Sequence, residues 1–132
     1  MPKIQHSKRA TRGVTFDTSV LVGLDRRKAG ALALLRACRL SRARITIPAN
    51  VVAEWWRGEH RALLEIGVVD SVLPELAAQA GMLLAKTGRS NAVDATVVAS
   101  AASRGDLMIT GAPDDLTELA ANARGVRVER LR

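Results

Sequence analysis

The stretch Val14-Thr15-Phe16-Asp17-Thr18-Ser19-Val20-Leu21 constrains the fold more than any other, because in it a short apolar strand runs straight into an acid. A strand this apolar belongs inside a sheet covered on both faces. Asp17 then falls at its carboxyl end, where open α/β sheets place their ligand crevice. Thr18 and Ser19 are N-cap types, and Val20 to Leu24 can begin a helix over that edge. A carboxylate held there is half desolvated and stays ionised only if a cation or several donors meet it. Further acids are therefore expected at the same edge.

Downstream, Arg26 to Arg44 keeps Ala29, Ala31, Leu32, Leu34, Leu35, Cys38 and Leu40 on one helical face, with seven basic residues on the remainder. Solvation of that face is the simpler reading of the charges and phosphate binding the sharper one. Ile45 to Pro48 reads as a second strand, and Asn50 as the cap of a helix from Val51 to Arg57 that stops at Gly58. On that reading Glu54 lies on the helix's first turns. Arg61 to Gly67 reads as a short helix and Val68 to Leu73 as either a turn or an edge strand. Pro74 opens a helix through Lys86. Gly88 to Asn91 breaks it, and Asn91 caps a buried helix, Ala92 to Ser103, whose one acid is Asp94. Asp106 to Thr110 is a strand, 111–116 turns into a last helix reaching Ala123, and Val126 to Leu131 is a final strand. Strands alternating with helices of this length predict a three-layer α/β/α sandwich around a mainly parallel sheet.

One domain fits the 132 residues, spanning 14–132 behind a flexible basic tail at 1–13 that carries Lys3, Lys8, Arg9 and Arg12. The formal charge of +7 favours a polyanionic partner, but more than half of it belongs to that tail. With aromatics at 2%, the base-stacking platforms of many single-strand RNA readers are largely missing. A lone Cys38 excludes an internal disulfide and suits a reducing compartment. No apolar run is long enough to span a bilayer and no signal-type apolar region follows the basic start, so a cytoplasmic protein is expected.

Asp17, Glu54, Asp94, Asp114 and Asp115 all project to the carboxyl edge of such a sheet. Two like charges about 4 Å apart repel by roughly 4 kcal/mol at an effective dielectric of 20. Clustered acids therefore share protons or hold a divalent cation. Hard oxygen ligands without Cys or His point to Mg²⁺ or Mn²⁺, because His6 and His60 read as surface residues. With no Ser-His-Asp or Cys-His arrangement, the chemistry that fits is metal-assisted phosphodiester hydrolysis. Each acid also has a structural role open to it: Asp94 in a capping box with Asn91, and Glu54, Asp114 and Asp115 at helix starts. Asp17 is the acid least accounted for in this way.

These residues resemble the PIN-domain nucleases, and most closely the VapC toxins of bacterial toxin–antitoxin pairs. The resemblance runs from Val14 to Leu131 and rests on four ordered marks. They are Phe16-Asp17-Thr18-Ser19-Val20-Leu21, then Val52-Ala53-Glu54 with Arg57-Gly58, then Val93-Asp94-Ala95, then Leu107-Met108-Ile109-Thr110 running into Pro113-Asp114-Asp115-Leu116. It implies a Mg²⁺-dependent endoribonuclease in which Asp17, Glu54 and Asp94 bind metal, with Thr18, Ser19, Thr110 and Asp115 in support. It further implies a VapB-like antitoxin, a homodimer, and structured RNA such as tRNA or rRNA as substrate.

The chain departs from the family at the fourth mark. Where the family reads Thr-Ser-Asp-Pro-Asp-Asp, this sequence has Thr110-Gly111-Ala112-Pro113-Asp114-Asp115, so an alanine replaces the fourth acid. Asp114, two residues on, is the candidate to replace it as a metal ligand, leaving a second metal weak. Arg57, Lys86, Arg89 and Arg104 are the candidate RNA phosphate contacts. Of Trp55 and Trp56, one should pack inside and the other cover a partner surface, since helical neighbours point apart. A catalytically weakened PIN-type module that binds RNA or an antitoxin is the alternative. A phosphatase using Asp17 as nucleophile is disfavoured by serine at position 19.

Overall fold

The computed structural model describes residues 13–59 and 61–131. The tail at 1–12, with His6, and also His60 lie outside the described residues. β1 (Gly13–Phe16) is followed by α1 (Thr18–Asp25), α2 (Ala29–Ser41), β2 (Arg44–Pro48) and α3 (Ala49–Trp55). A 3-10 turn (Arg61–Ile66) leads to β3 (Val68–Asp70), then α4 (Pro74–Thr87), α5 (Ala92–Arg104), β4 (Leu107–Thr110), α6 (Pro113–Ala121) and β5 (Arg127–Arg130).

The five strands form one parallel sheet in the order β3-β2-β1-β4-β5. The chain therefore builds outward from β1 through β2 to β3, returns across the sheet, and builds outward again through β4 to β5. The turnaround lies between β1 and β4, with Phe16 in register with Ile109. Right-handed crossovers put α1 and α2 on one face and α4, α5 and α6 on the other, giving the PIN-like three-layer sandwich expected from the sequence. α3 contacts both α1 and α5, which brings a third helix to the carboxyl edge.

The core is aliphatic, as the composition requires. Phe16, Leu21, Ile47 and Met108 are fully buried, and α5 buries every residue from Ala95 to Ala101. Small side chains along α5 let it lie close to the sheet. Cys38 is a buried core residue, and burial pushes its thiol pKa up. Among the described residues no helix is long and apolar enough to cross a membrane.

Behind the sheet lies an ionic cluster that the sequence did not disclose. Arg104 donates to Asp106 Oδ2 at 2.9 Å, Asp70 Oδ2 at 3.1 Å, Thr15 Oγ1 at 2.9 Å and Ser100 Oγ at 2.9 Å. Thr15 donates in turn to Asp106 Oδ2 at 2.9 Å. Gly13 is required beside it, because a Cβ there would sit 2.2 Å from Asp106 Oδ1.

Three local expectations are corrected. The helix after β1 is capped by Asp17 itself and not by Thr18 or Ser19, its side chain accepting from the Val20 N–H. α2 is shorter than Arg26 to Arg44, because Arg27 and Arg42 at its two ends take left-handed backbone conformations. α3 starts at Ala49 behind Pro48, so Asn50 lies inside the helix and does not cap it. Val68 to Asp70 resolves as the edge strand of the two readings.

Candidate active site

Asp17 leaves β1 at the turnaround and is only 6% exposed. Its Oδ1 accepts from the Ser19 hydroxyl at 2.5 Å and from the Val20 N–H at 3.2 Å. Burial raises its pKa above the ordinary 3.8, and hydrogen bonds from Ser19, Thr110 and Val20 oppose the shift without cancelling it. Among the described residues, each group meeting this carboxylate is thus a neutral donor. Ser19 also accepts from the Gly111 N–H at 2.7 Å, and Thr110 Oγ1 accepts from the Ala112 N–H at 2.9 Å. The turn after β4 is thereby tied to Asp17 through Ser19.

Glu54 reaches the same place from α3, whose extended residue Trp56 ends the helix just after it. The expectation that Glu54 opens its helix is therefore wrong: it occupies the last turn, where the helix dipole does not favour an acid. Its Oε1 instead accepts a short hydrogen bond from the Thr18 hydroxyl. Asp94 stands in the first turn of α5, where Asn91 Oδ1 accepts from its N–H at 3.0 Å. One half of the expected capping box is therefore present, and it holds the first turn of α5 at the cleft.

Asp17, Glu54 and Asp94 line a single cleft of about 670 Å³, together with Thr18, Ser19, Lys28, Asn91, Gly111 and Ala112. Three acids far apart in sequence share one concavity at the turnaround, where an open parallel sheet places its ligand. Its polar lining offers carboxylate, amide and hydroxyl oxygens, with neither His nor Cys. That donor chemistry fits a hard divalent cation. Among the described residues, however, no three acidic, His or Cys side chains converge closely enough to ligate one ion. The exposed Glu54 and half-buried Asp94 would have to turn inward onto the fixed Asp17. The donor types fit, and the spacing is that of an open cleft.

The other expected residues divide. Ala112 is at the cleft wall with no polar side chain, while Asp114 is exposed in the first turn of α6 and is not among the lining residues. The idea that Asp114 takes the place of the fourth acid finds no support in this placement. Only the backbone of Asp115 is described, in α6. Arg89 lies beside the cleft in a smaller recess shared with Asn91 and Asp94, and it pairs with Glu118 at 2.8 Å. Arg57 is exposed and donates to the Trp56 carbonyl at 2.7 Å. Lys86 lines a different groove, of about 380 Å³, with Gln79, Met82 and Arg124. Arg104 is committed to the cluster behind the sheet, so it is a structural cation rather than a surface contact. Trp55 is buried, and Trp56 packs partly against the core with the ring centroids 5.8 Å apart, edge to face.

Lys28 and Asn91 are cleft residues that the sequence reading assigned elsewhere. Asn91 read only as a cap, and Lys28 only as one charge in a basic run.

No protein-family model matches the sequence, and no curated protein matches it. Solved structures do. The chain is similar to one in VapBC2 from Rickettsia felis bound to a DNA fragment from their promoter, with a TM-score of 0.69 and 13% identity over 90% of this chain and 98% of that one. A toxin–antitoxin complex from Klebsiella pneumoniae gives 0.67 and 20% over 86% and 95%. DNA-bound VapBC from Salmonella typhimurium gives 0.67 and 17% over 92% and 100%. Identities this low establish likeness of fold: nearly the whole chain takes the three-layer fold of a chain found in these complexes.

Proposed function

We propose that this chain is a VapC-like toxin: an endoribonuclease dependent on Mg²⁺, or Mn²⁺ in its place, that hydrolyses RNA phosphodiester bonds. A VapB-like antitoxin would neutralise it, and it would act as a homodimer on tRNA or rRNA in the cytoplasm. The observation that carries the reading is the meeting of Asp17, Glu54 and Asp94 in one cleft at the turnaround of a parallel sheet.

Asp17, Glu54 and Asp94 would hold the cation, which when bound supplies an activated water and neutralises charge on the phosphate. The chain's own residues do the rest. Asp17 is the fixed point, because Ser19 and the Val20 N–H hold one of its oxygens. Thr18 orients Glu54 from the neighbouring position. Ser19 sets the distance between β1 and the turn at Gly111, which forms the opposite wall. Asn91 anchors the first turn of α5 and so the approach of Asp94.

Purified protein should cleave total RNA with Mg²⁺ and not with excess EDTA, and both Asp17→Asn and Asp94→Asn should abolish cleavage while leaving the fold intact. Cleavage that survives either substitution would sink the reading. Ala112 at the cleft wall favours a second reading, a module that binds RNA or antitoxin with catalysis weakened. Tight RNA binding without cleavage at any Mg²⁺ or Mn²⁺ concentration would favour it.

A further inference from the structure

Between Thr18 and Ala53 the chain carries seven Lys and Arg against a single acid, Asp25. The fold turns this excess outward: Arg26, Arg27, Lys28, Arg36, Arg39, Arg42 and Arg44 are all exposed. The Arg89–Glu118 pair and the Arg104 cluster lie elsewhere. This basic segment reaches the acid cleft. Lys28 lines that cleft, and Arg27 beside it lines the next groove, of about 390 Å³, with Arg36 and Arg39.

Two backbone facts strengthen the pattern. Arg27 and Arg42 have φ of 53° and 56°, in the left-handed region that costs a residue with a Cβ roughly 1–2 kcal/mol and that glycine enters freely. Both left-handed positions flanking α2 nonetheless carry arginine. A cation kept at such positions, away from the Arg89 and Arg104 ion pairs, is suited to a polyanion outside the fold.

We infer that the corner between α1 and α2 and the exposed face of α2, running from Lys28 through Arg27 to Arg36 and Arg39, form a phosphate-binding track that carries the RNA strand leading out of the acid cleft. At 13 residues α2 is about 20 Å long, enough to pass several nucleotides. Exposed Leu40 and the partly buried Leu32 also border this groove and would suit an acidic amphipathic segment of a protein. The sevenfold excess of cations and the direct run into the cleft favour the nucleic acid. That the polymer is RNA rests on the ribonuclease reading.

The test uses the full chain in EDTA, which withholds the metal that cleavage requires, with 2′-O-methyl RNA as a dinucleotide and as a longer oligonucleotide. Affinity is followed by fluorescence anisotropy across a KCl series. For the triple variant Arg27→Gln, Arg36→Gln and Arg39→Gln, log affinity for the longer probe should fall with log salt less steeply, the slope shrinking by about 2 at about 0.7 per lost phosphate contact. Dinucleotide affinity should not change, and the matching Arg→Lys triple variant should keep the wild-type slope, which separates lost charge from lost fold. An unchanged slope, or equal losses for both probes, overturns the track. So does unchanged RNA binding with loss of binding to an acidic amphipathic helical peptide, which would reassign the surface to a protein partner. Cleavage of unmodified RNA is scored separately: cleavage with an unchanged slope removes the track alone, and a reduced slope without cleavage keeps the track and removes the nuclease reading.

Discussion

Ser19→Ala should show how the Asp17 carboxylate is held. The hydroxyl donates to Asp17 Oδ1 at 2.5 Å and accepts from the Gly111 N–H at 2.7 Å. A hydrogen bond to a charged group contributes about 1.5–3 kcal/mol, while the exposed Gly111 N–H can turn to water at little cost, so the loss at neutral pH should be about 2 kcal/mol. The pH dependence makes the test specific. Burial holds the folded Asp17 pKa above its unfolded value of 3.8, and Ser19 is the largest influence opposing that shift. Between the two values the native state binds more protons than the unfolded chain, so this group's contribution to stability falls as pH rises through the window and recovers on acidification. Ser19→Ala removes the chief opposing bond and raises the folded pKa further. Its cost should therefore shrink to about 1 kcal/mol, the worth of a neutral hydrogen bond, once Asp17 is protonated. Urea unfolding of both proteins in EDTA at neutral and acid pH measures the difference. A cost that is the same at both would refute the claim that Ser19 acts through the Asp17 charge.

Ala112→Asp should supply α6 with the N-cap it lacks ahead of Pro113 and raise stability by about 0.5–2 kcal/mol in thermal unfolding. It should also tighten Mn²⁺ binding, read by calorimetry, since residue 112 lines the cleft. Asp114→Ala should leave RNA cleavage unchanged and cost about 0.3–1 kcal/mol through the helix dipole; a large loss of cleavage would show that Asp114 does reach the site. Asp106→Ala should lower the urea midpoint by an amount equivalent to about 3 kcal/mol, because the half-buried Arg104 keeps only Asp70 as an ionic partner.

The sheet and the buried α5 were legible because hydrophobic pattern and turn residues act locally: an apolar run before Asp17, a Gly-to-Asn break before α5, a proline opening α4. What misled was anything decided by one residue of register or by a distant partner. α3 begins at Ala49, and with Trp56 extended, Glu54 falls in its last turn. Its acid still reaches the cleft, since α3 contacts α1 and α5 together and Thr18 lies within reach. Arg104 read as a surface cation because its partners Asp70 and Thr15 are 34 and 89 residues away in the chain. The convergence of Asp17, Glu54 and Asp94 could be inferred from sheet topology, whereas the openness of the cleft between them depends on rotamers that no spacing rule reaches.

Among the described residues two carboxylates are buried, and they are treated in opposite ways. Asp106 is neutralised internally by Arg104. Among the described residues Asp17 meets hydroxyls and N–H groups, which hold it in place but add no positive charge. A lysine or arginine beside Asp17 would have relieved its burial at the cost of filling the cleft; an exchangeable cation would relieve it and leave the cleft open. Linkage turns this contrast into a measurement. A ligand that binds only the native state at a hundred times its Kd stabilises by about 2.7 kcal/mol. Mg²⁺ should therefore raise the thermal midpoint at neutral pH and lose that effect on acidification, as protonation of Asp17 competes for the same oxygens. Asp17→Asn should remove the Mg²⁺ response at every pH while unfolding at a midpoint no lower than the wild type in EDTA, since asparagine caps α1 as well as aspartate does and carries no buried charge. Were the variant still stabilised by Mg²⁺, the ion would be held elsewhere and Asp17 would be a helix cap and nothing more.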